Sequence, residues 1–326
     1  MASTVRRLIP LLPAALALLA GCGGDERESA ERAAQVVATT TQVGDLTRAV
    51  AGRRAKVTQL LKANSDPHEF EPRPGDARAL SEADLLVASG GDLDTWSDDL
   101  NRSAAGNASS VKLIDSVEAL RGEHEQAEGA RADGEKHGDG AVDPHWWQDP
   151  TNAVRAVEAI RRALSAADPE GRPAYAKNAH AYTQRLRRLD RSIASCVERI
   201  PEAKRKLVTT HDALGYYARR YDIEVVGALI PSLSTQAQPS GRDIQELVGQ
   251  IRSEGVEAIF PESALGPRLE QAVAREAGVK VGGELSTDTL GAPGSGAETY
   301  PRSLSANTAT LVEGMSGGKV RCRPRA

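Results

Sequence analysis

The stretch QVVATTTQVGDLTRAVAG, residues 35–52, contains two successive patterns that together indicate the fold class. It opens with a short β-branched run, which is typical of a buried strand. Apolar side chains at helical spacing follow and stop at Gly52, a residue type that often ends helices. KVTQLL, residues 56–61, predicts a second strand. A strand, a helix and a strand in this order indicate a parallel α/β sheet.

The same alternation continues on both sides of a long helical region. Pro74 suits the first turn of a helix, and DLLVAS and VKLID, residues 84–89 and 111–115, predict two further strands. Helical segments follow at residues 151–169 and 175–200, and the second is about 40 Å long at about 1.5 Å per residue. Strand and helix patterns then alternate again. We therefore predict an α/β fold in which two parallel-sheet (βα) domains are bridged by one long rigid helix.

The N-terminal residues predict export and membrane anchoring. Residues 1–21 combine two arginines with an apolar run that is too short and too Ala-rich for a permanent membrane span, as in a signal peptide. LAGC, residues 19–22, resembles the bacterial lipobox, in which the cysteine is lipidated after cleavage. We therefore expect a lipidated Cys22, a flexible tether over residues 22–34, and an extracytoplasmic protein anchored to the bacterial membrane.

The strand and helix patterns divide the remaining chain into three parts. We predict an N-terminal α/β lobe at residues 35–168, a linking helix at 169–200 and a C-terminal α/β lobe at 201–326. Residues 121–141 are rich in Glu, Asp, Gly and Ala and lack an apolar period, so they predict a mobile acidic loop within the first lobe.

Charge and cysteine content narrow the partners and the compartment. The chain has 41 Lys and Arg against 45 Asp and Glu, with no basic cluster beside aromatic residues, so nucleic acid is not an expected partner. Besides Cys22 it contains Cys196 and Cys322. Thiols outside the cytoplasm tend to pair, and we predict a disulfide that ties the C-terminal tail to the middle of the chain.

Three histidines follow predicted strands: His68 in NSDPHEFEP, His145 in VDPHWWQDP and His211 in VTTHDALGY. Ligands bind α/β sheets at the carboxyl ends of strands, so imidazoles from both lobes would converge there, although a single histidine in such a place is more often structural. An Asp-Pro dipeptide precedes two of them and stiffens the backbone. Its acidic residues, Asp66 and Asp143, are placed to accept the second ring N–H.

Asp288, in ELSTDTLG, is a further candidate ligand. On its own, an Asp at this place is commonly a turn or cap residue. Together with three imidazoles, its carboxylate completes a tetrahedral set of nitrogen and oxygen ligands. Trp146 and Trp147, next to His145, are expected to keep water away from such a site.

The motifs DPHEFEP, DPHWWQDP, TTHDALGYYARRY, IFPES and STDTLG closely resemble the metal-binding proteins of zinc and manganese ABC uptake transporters. The resemblance covers nearly all of the chain after the signal, in the same order. It implies two domains with four-stranded parallel sheets, bridged by a single long helix, with the metal site in the interdomain cleft. The implied ligands are His68, His145, His211 and Asp288. Glu262 of IFPES matches a family position, where it either supports a ligand or makes a surface or interdomain hydrogen bond.

The resemblance implies a lipoprotein that captures Zn²⁺ and delivers it to an ABC transporter permease, and we expect a monomer. Manganese-type members carry a glutamate at the third ligand position and zinc-type members a histidine, which is His211 here. Three imidazoles and one carboxylate also suit Zn²⁺, whereas Mn²⁺ favours more oxygen ligands. A homologue that binds Mn²⁺ or Fe²⁺ and a surface adhesin of the same fold remain alternatives.

A zinc hydrolase is the rival from a different functional class. It would need one coordination position open for water and a base nearby. A coordinating Asp288 closes that position, so we expect a binding protein and not an enzyme.

Overall fold

A computed structural model describes residues 1–2, 33–104, 106, 108–121 and 141–325. The predicted signal beyond residue 2, Cys22, the tether up to residue 32 and the acidic loop between residues 122 and 140 lie outside the described residues. Among the helices in the described ranges, none is both long and apolar enough to cross a membrane.

The first sheet contains four parallel strands. They are β1 (Ala34–Ala38), β2 (Ala55–Gln59), β3 (Leu85–Ala88) and β4 (Ser109–Lys112). Their order is β2-β1-β3-β4, and the central β3 is apolar and buried throughout because helices cover both faces of a parallel sheet. The helices of this lobe are α1 (Thr41–Ala51), α2 (Pro74–Ser81) and α3 (Trp96–Ser103). As predicted, α1 ends before Gly52, whose φ of 58° suits glycine.

The second sheet repeats this topology. Its strands are β5 (Lys206–His211), β6 (Glu224–Ile230), β7 (Ala258–Ile259) and β8 (Lys280–Val281). The parallel pairs β5-β6 and β7-β8 are joined by a parallel bridge between Thr209 and Phe260, so the order is β6-β5-β7-β8. The accompanying helices are α6 (Gly215–Tyr221), α7 (Gly241–Glu254) and α8 (Arg268–Ala277). Each sheet thus has a switch point beside its first strand, the place where α/β sheets bind ligands.

A helix of 26 residues, α5 (Arg172–Val197), bridges the lobes. It follows α4 (Pro150–Ala167) and packs against α1, α4 and α9 (Tyr300–Met315). One hydrophobic cluster includes residues from both sheets and from α5, among them Val36, Leu186 and Leu207. The predicted α/β class with two parallel-sheet lobes and one long bridging helix is confirmed. Ala33–Ala326 form one compact unit, so the lobe boundaries at residues 168 and 200 stay predictions.

Some local features differ from the sequence prediction. The strand predicted at residues 111–115 begins at Ser109 and ends at Lys112, because Leu113–Ser116 form a 3₁₀ turn that buries Leu113. The helices α3 and α9 were not predicted. In α9 the buried Tyr300, Leu304 and Leu311 recur at helical spacing, a signal that the sequence does contain.

Cys196 on α5 is joined to Cys322 by a disulfide, and their Cα atoms lie 5.6 Å apart. The bond links residues 126 positions apart in sequence. It holds the tail that follows α9 against the bridging helix.

Asp168 connects the first sheet to the start of the bridging helix. Its carboxylate accepts hydrogen bonds from Arg54 Nε at 2.8 Å and Nη2 at 3.1 Å, and from the Tyr175 hydroxyl at 2.6 Å. Arg54 lies just before β2, whereas Tyr175 lies in the first turn of α5. The bonds from Arg54, assisted by Tyr175, outweigh the effect of burial and lower the pKa of Asp168 to about 2.

We expect Asp168→Asn to lower the free energy of unfolding at pH 7 by about 1–2 kcal/mol. The folded-state pKa lies below the unfolded value, so the stabilisation is present above about pH 4 and is lost as the pH falls towards 2. The difference from the unsubstituted protein, measured by urea unfolding, should therefore be smaller at pH 3 than at pH 7. Asp92→Asn, at an exposed position, is the matched control. A difference that does not change with pH would contradict this assignment.

Candidate metal centre

The structure brings all four predicted ligands together. Each of His68, His145, His211 and Asp288 offers one ligand atom, and these atoms all lie within 4.8 Å of one another. His68 and His145 come after β2 and β4 of the first lobe, His211 ends β5, and Asp288 follows β8 of the second lobe. The site therefore lies between the two lobes, at the carboxyl ends of the strands.

Four distances within this group are close to those between the ligands of a single ion. Asp288 Oδ2 lies 3.3 Å from His68 Nε2 and 3.2 Å from His211 Nε2. Asp288 Oδ1 lies 3.5 Å from His145 Nε2, and the Nε2 atoms of His145 and His211 are 3.3 Å apart. Tetrahedral ligands with bonds of about 2.0–2.1 Å are about 3.3–3.4 Å from one another.

Burial and unsatisfied atoms also indicate a cation. The side chains of His145 and His211 are fully buried and Asp288 is nearly so. Within the part of the chain that the structure describes, His68 Nε2 and Asp288 Oδ1 are buried without a hydrogen-bond partner, which is costly unless another group binds them. An ion at the centre of the group would bind both atoms.

Charge interactions among these groups are strong. Burial raises the pKa of the Asp288 carboxyl, but the positive charges of His211 and His145 outweigh it and hold that pKa well below its usual value. Burial lowers the pKa of His211, but the negative charges of Glu262 and Asp288 outweigh it and hold that pKa well above its usual value. The carboxylates thus favour positive charge at the centre, which a metal ion supplies in place of a proton.

Two carboxylates orient the buried imidazoles. Asp143 Oδ1 lies 2.8 Å from His145 Nδ1 and accepts the His145 main-chain N–H at 2.9 Å. Glu262 Oε1 does the same for His211, at 2.7 Å and 2.9 Å. A carboxylate at Nδ1 makes that nitrogen the proton donor, so the Nε2 lone pair faces the centre of the site.

Asp66 takes a different role from the one that its sequence context predicted. Its carboxylate accepts the main-chain N–H of His68 at 2.9 Å and the hydroxyl of Thr235 at 2.7 Å, and not the ring N–H. It therefore holds the backbone of the His68 loop and joins that loop to the second lobe.

A further group of hydrogen-bonding side chains, which the sequence motifs do not predict, surrounds Thr287. The main-chain carbonyl of Thr287 accepts N–H groups from Gln42, Trp147 and Gln148. The sequence feature that could have pointed to Gln42 as a residue near the site is the polar run TTTQ directly after a buried strand. Trp147 lies with its ring centroid 5.5 Å from that of His145, and both tryptophans of the motif are buried beside the site.

Comparison with known proteins identifies the family. A family model described as zinc-uptake complex component A, periplasmic, matches residues 36–314. Manganese-binding lipoprotein MntA of Halalkalibacterium halodurans is 32% identical over 92% of this chain and 95% of that protein. The metal ABC transporter substrate-binding lipoprotein SloC of Streptococcus mutans is 27% identical over 96% of this chain and 100% of that protein. The solved structure of the periplasmic zinc-binding protein TroA from Treponema pallidum has a TM-score of 0.77 and 28% identity, over 86% of this chain and 98% of that one.

Fold and site together define a solute-binding protein for metal ions, of the kind that serves ABC transporters. The chain belongs to the family of the periplasmic zinc-uptake complex component A. The family resemblance predicted from the sequence is confirmed. This is a family of solute-binding proteins, so the chain is not an enzyme. Both zinc and manganese occur in the names of its relatives.

We expect Glu262→Gln to weaken metal binding by about 10-fold or more, because the ring of His211 loses the charge that orients it and raises its basicity. Competition with a chelating dye measures the dissociation constant. Glu276→Gln, at an exposed position of α8, is the control and should bind as the unsubstituted protein does. Equal affinities for the two variants would show that Glu262 does not support a ligand.

Proposed function

We propose that this protein captures Zn²⁺ outside the cytoplasm and delivers it to the permease of an ABC transporter. The observation that carries the proposal is the convergence of three imidazoles and one carboxylate, whose ligand atoms lie within 4.8 Å of one another and whose carboxylate oxygens lie 3.2–3.5 Å from the three Nε2 atoms. His211 supports zinc in particular, because it occupies the position at which manganese-type members of the family carry a glutamate.

The surroundings of the site suit the binding of a cation and not catalysis. Four protein ligands would complete the coordination of Zn²⁺ and leave no position for a reacting water. Asp143 and Glu262 add negative charge directly behind the imidazoles, which favours a divalent cation over an empty site.

Mn²⁺ is the second candidate, and one feature of the site favours it. The two oxygens of Asp288 both face imidazoles, Oδ1 towards His145 and Oδ2 towards His68 and His211. A carboxylate bound through both oxygens would raise the coordination number above four, as Mn²⁺ prefers. The relative MntA is also named a manganese-binding lipoprotein. Fe²⁺ has similar ligand preferences, and an adhesin role would add a partner without changing the site.

Anchoring belongs to the same proposal. Relatives named as lipoproteins match more than nine-tenths of this chain. Lipidation of Cys22 would keep the protein at the outer face of the membrane, close to its permease, where it would act as a monomer.

We expect His211→Ala to weaken zinc binding by at least about 100-fold, because one of four ligands is lost. Equilibrium dialysis measures the affinity, and circular dichroism checks that the fold is retained. His180→Ala, which removes an exposed imidazole of α5, is the matched control. Unchanged zinc binding by the His211 variant would refute the proposed site.

His211→Glu should shift the preference from Zn²⁺ towards Mn²⁺ by replacing a nitrogen ligand with oxygen. Both affinities should fall because Glu262 repels a second carboxylate nearby, but the zinc affinity should fall more. Dialysis against equal concentrations of the two metals measures the ratio of bound Mn²⁺ to bound Zn²⁺. His211→Gln supplies an oxygen without the charge and serves as the control. A ratio that does not move towards Mn²⁺ would contradict the role of this position in selectivity.

A further inference from the structure

The main chain before Asp288 is held by side chains of the first lobe. The carbonyl oxygen of Thr287 accepts hydrogen bonds from Gln148 Nε2 at 2.8 Å, Trp147 Nε1 at 2.9 Å and Gln42 Nε2 at 3.3 Å. These side chains are almost completely buried. Three donors on one buried carbonyl fix the peptide that leads into the ligand, since each bond is sheltered from competing water.

The main chain after Asp288 is held by the first lobe as well. The N–H of Leu290 donates to Thr41 Oγ1 at 2.8 Å, and the N–H of Asn64 donates to Thr289 Oγ1 at 3.0 Å. Residues 287–290 belong to the second lobe by sequence, and the Thr287 hydroxyl donates to Glu262 of that lobe, but the other hydrogen bonds described above hold the segment to the first lobe.

Asp288 depends on this backbone support more than the buried histidine ligands do. The rings of His145 and His211 are each oriented by a carboxylate at Nδ1. Among the described residues, the ionic contacts of the Asp288 carboxylate are with the three ligand imidazoles, and its Oδ1 has no hydrogen-bond partner. Its position at the ion is thus set by its main chain.

The support also couples two ligands from different lobes. Trp147 and Gln148 belong to the 3₁₀ turn Trp146–Gln148, which begins directly after His145. One short turn therefore fixes both His145 and, through Thr287, Asp288. Protein contacts thus help to set the distance between these ligands.

We propose that Gln42, Trp147 and Gln148 are positioning residues that determine metal selectivity by holding the Asp288 carboxylate at the ion. This inference rests on the proposed function. Zn²⁺ is bound stably by three imidazoles with water in the fourth position. Mn²⁺ depends more strongly on carboxylate oxygens. Loosening Asp288 therefore weakens the binding of Mn²⁺ more than that of Zn²⁺.

The test removes two of the three donors with the double variant Trp147→Phe/Gln148→Leu. Dissociation constants for Zn²⁺ and for Mn²⁺ are measured separately by competition with chelating dyes. The constant for Mn²⁺ should rise about 10-fold more than that for Zn²⁺, and the visible spectrum of bound Co²⁺ should change as the carboxylate leaves. Tyr217→Phe removes a buried hydrogen bond to Thr308 and is the control for lost stability. It should lower the melting temperature without changing the ratio of the two constants.

If the variant binds both metals more weakly by the same factor, or binds both unchanged, the inference is overturned. A purely structural role would not alter the ratio of the two dissociation constants. The single variant Gln148→Leu is judged by the same ratio if the double variant does not fold. Failure of the unsubstituted protein to bind either metal at one ion per chain would instead refute the proposed function, so the two failures are distinguishable.

Discussion

The convergence of one carboxylate and three imidazoles on a common point is the constraint on which the rest of the structure depends. The ligand atoms lie within 4.8 Å of one another, yet they come from four separate segments and from both sheets. Such a group forms only if the two lobes are held in a defined position relative to each other. The bridging helix, the hydrophobic cluster shared by both sheets and the hydrogen bonds around Thr287 all contribute to that position.

Different contacts hold the four ligands in place. Two imidazoles are oriented by buried carboxylates, which place negative charge behind the site. The His68 loop is held through its main chain by Asp66, and Asp288 is held through the backbone on either side. The 3₁₀ turn after His145 helps to hold ligands of both kinds, because it follows one imidazole directly and donates to the peptide before Asp288.

Much of the fold and of the site follows from local patterns. The strand after residue 34, the helix end at Gly52 and the long helix α5 are each set by side-chain periodicity over a few turns. Asp-Pro-His occurs twice as a recognisable local motif, and its residues lie at the centre. The short turn at Leu113 could not be predicted, because burial of Leu113, and not local preference, decides its conformation. The helix α9, in contrast, has buried residues at helical spacing that the sequence does contain.

By itself, the sequence determined the α/β class, the bridging helix, the family and the four residues that meet between the lobes. Only the tertiary structure decided that Glu262 orients His211, that Asp66 binds a main-chain N–H, and that Gln42, Trp147 and Gln148 share the carbonyl of Thr287. The physical reason is the separation in sequence between the residues that interact. Ligand type and periodicity are written in neighbouring residues, whereas hydrogen bonds between positions 139 residues apart, as for Gln148 and Thr287, exist only after the two lobes have packed.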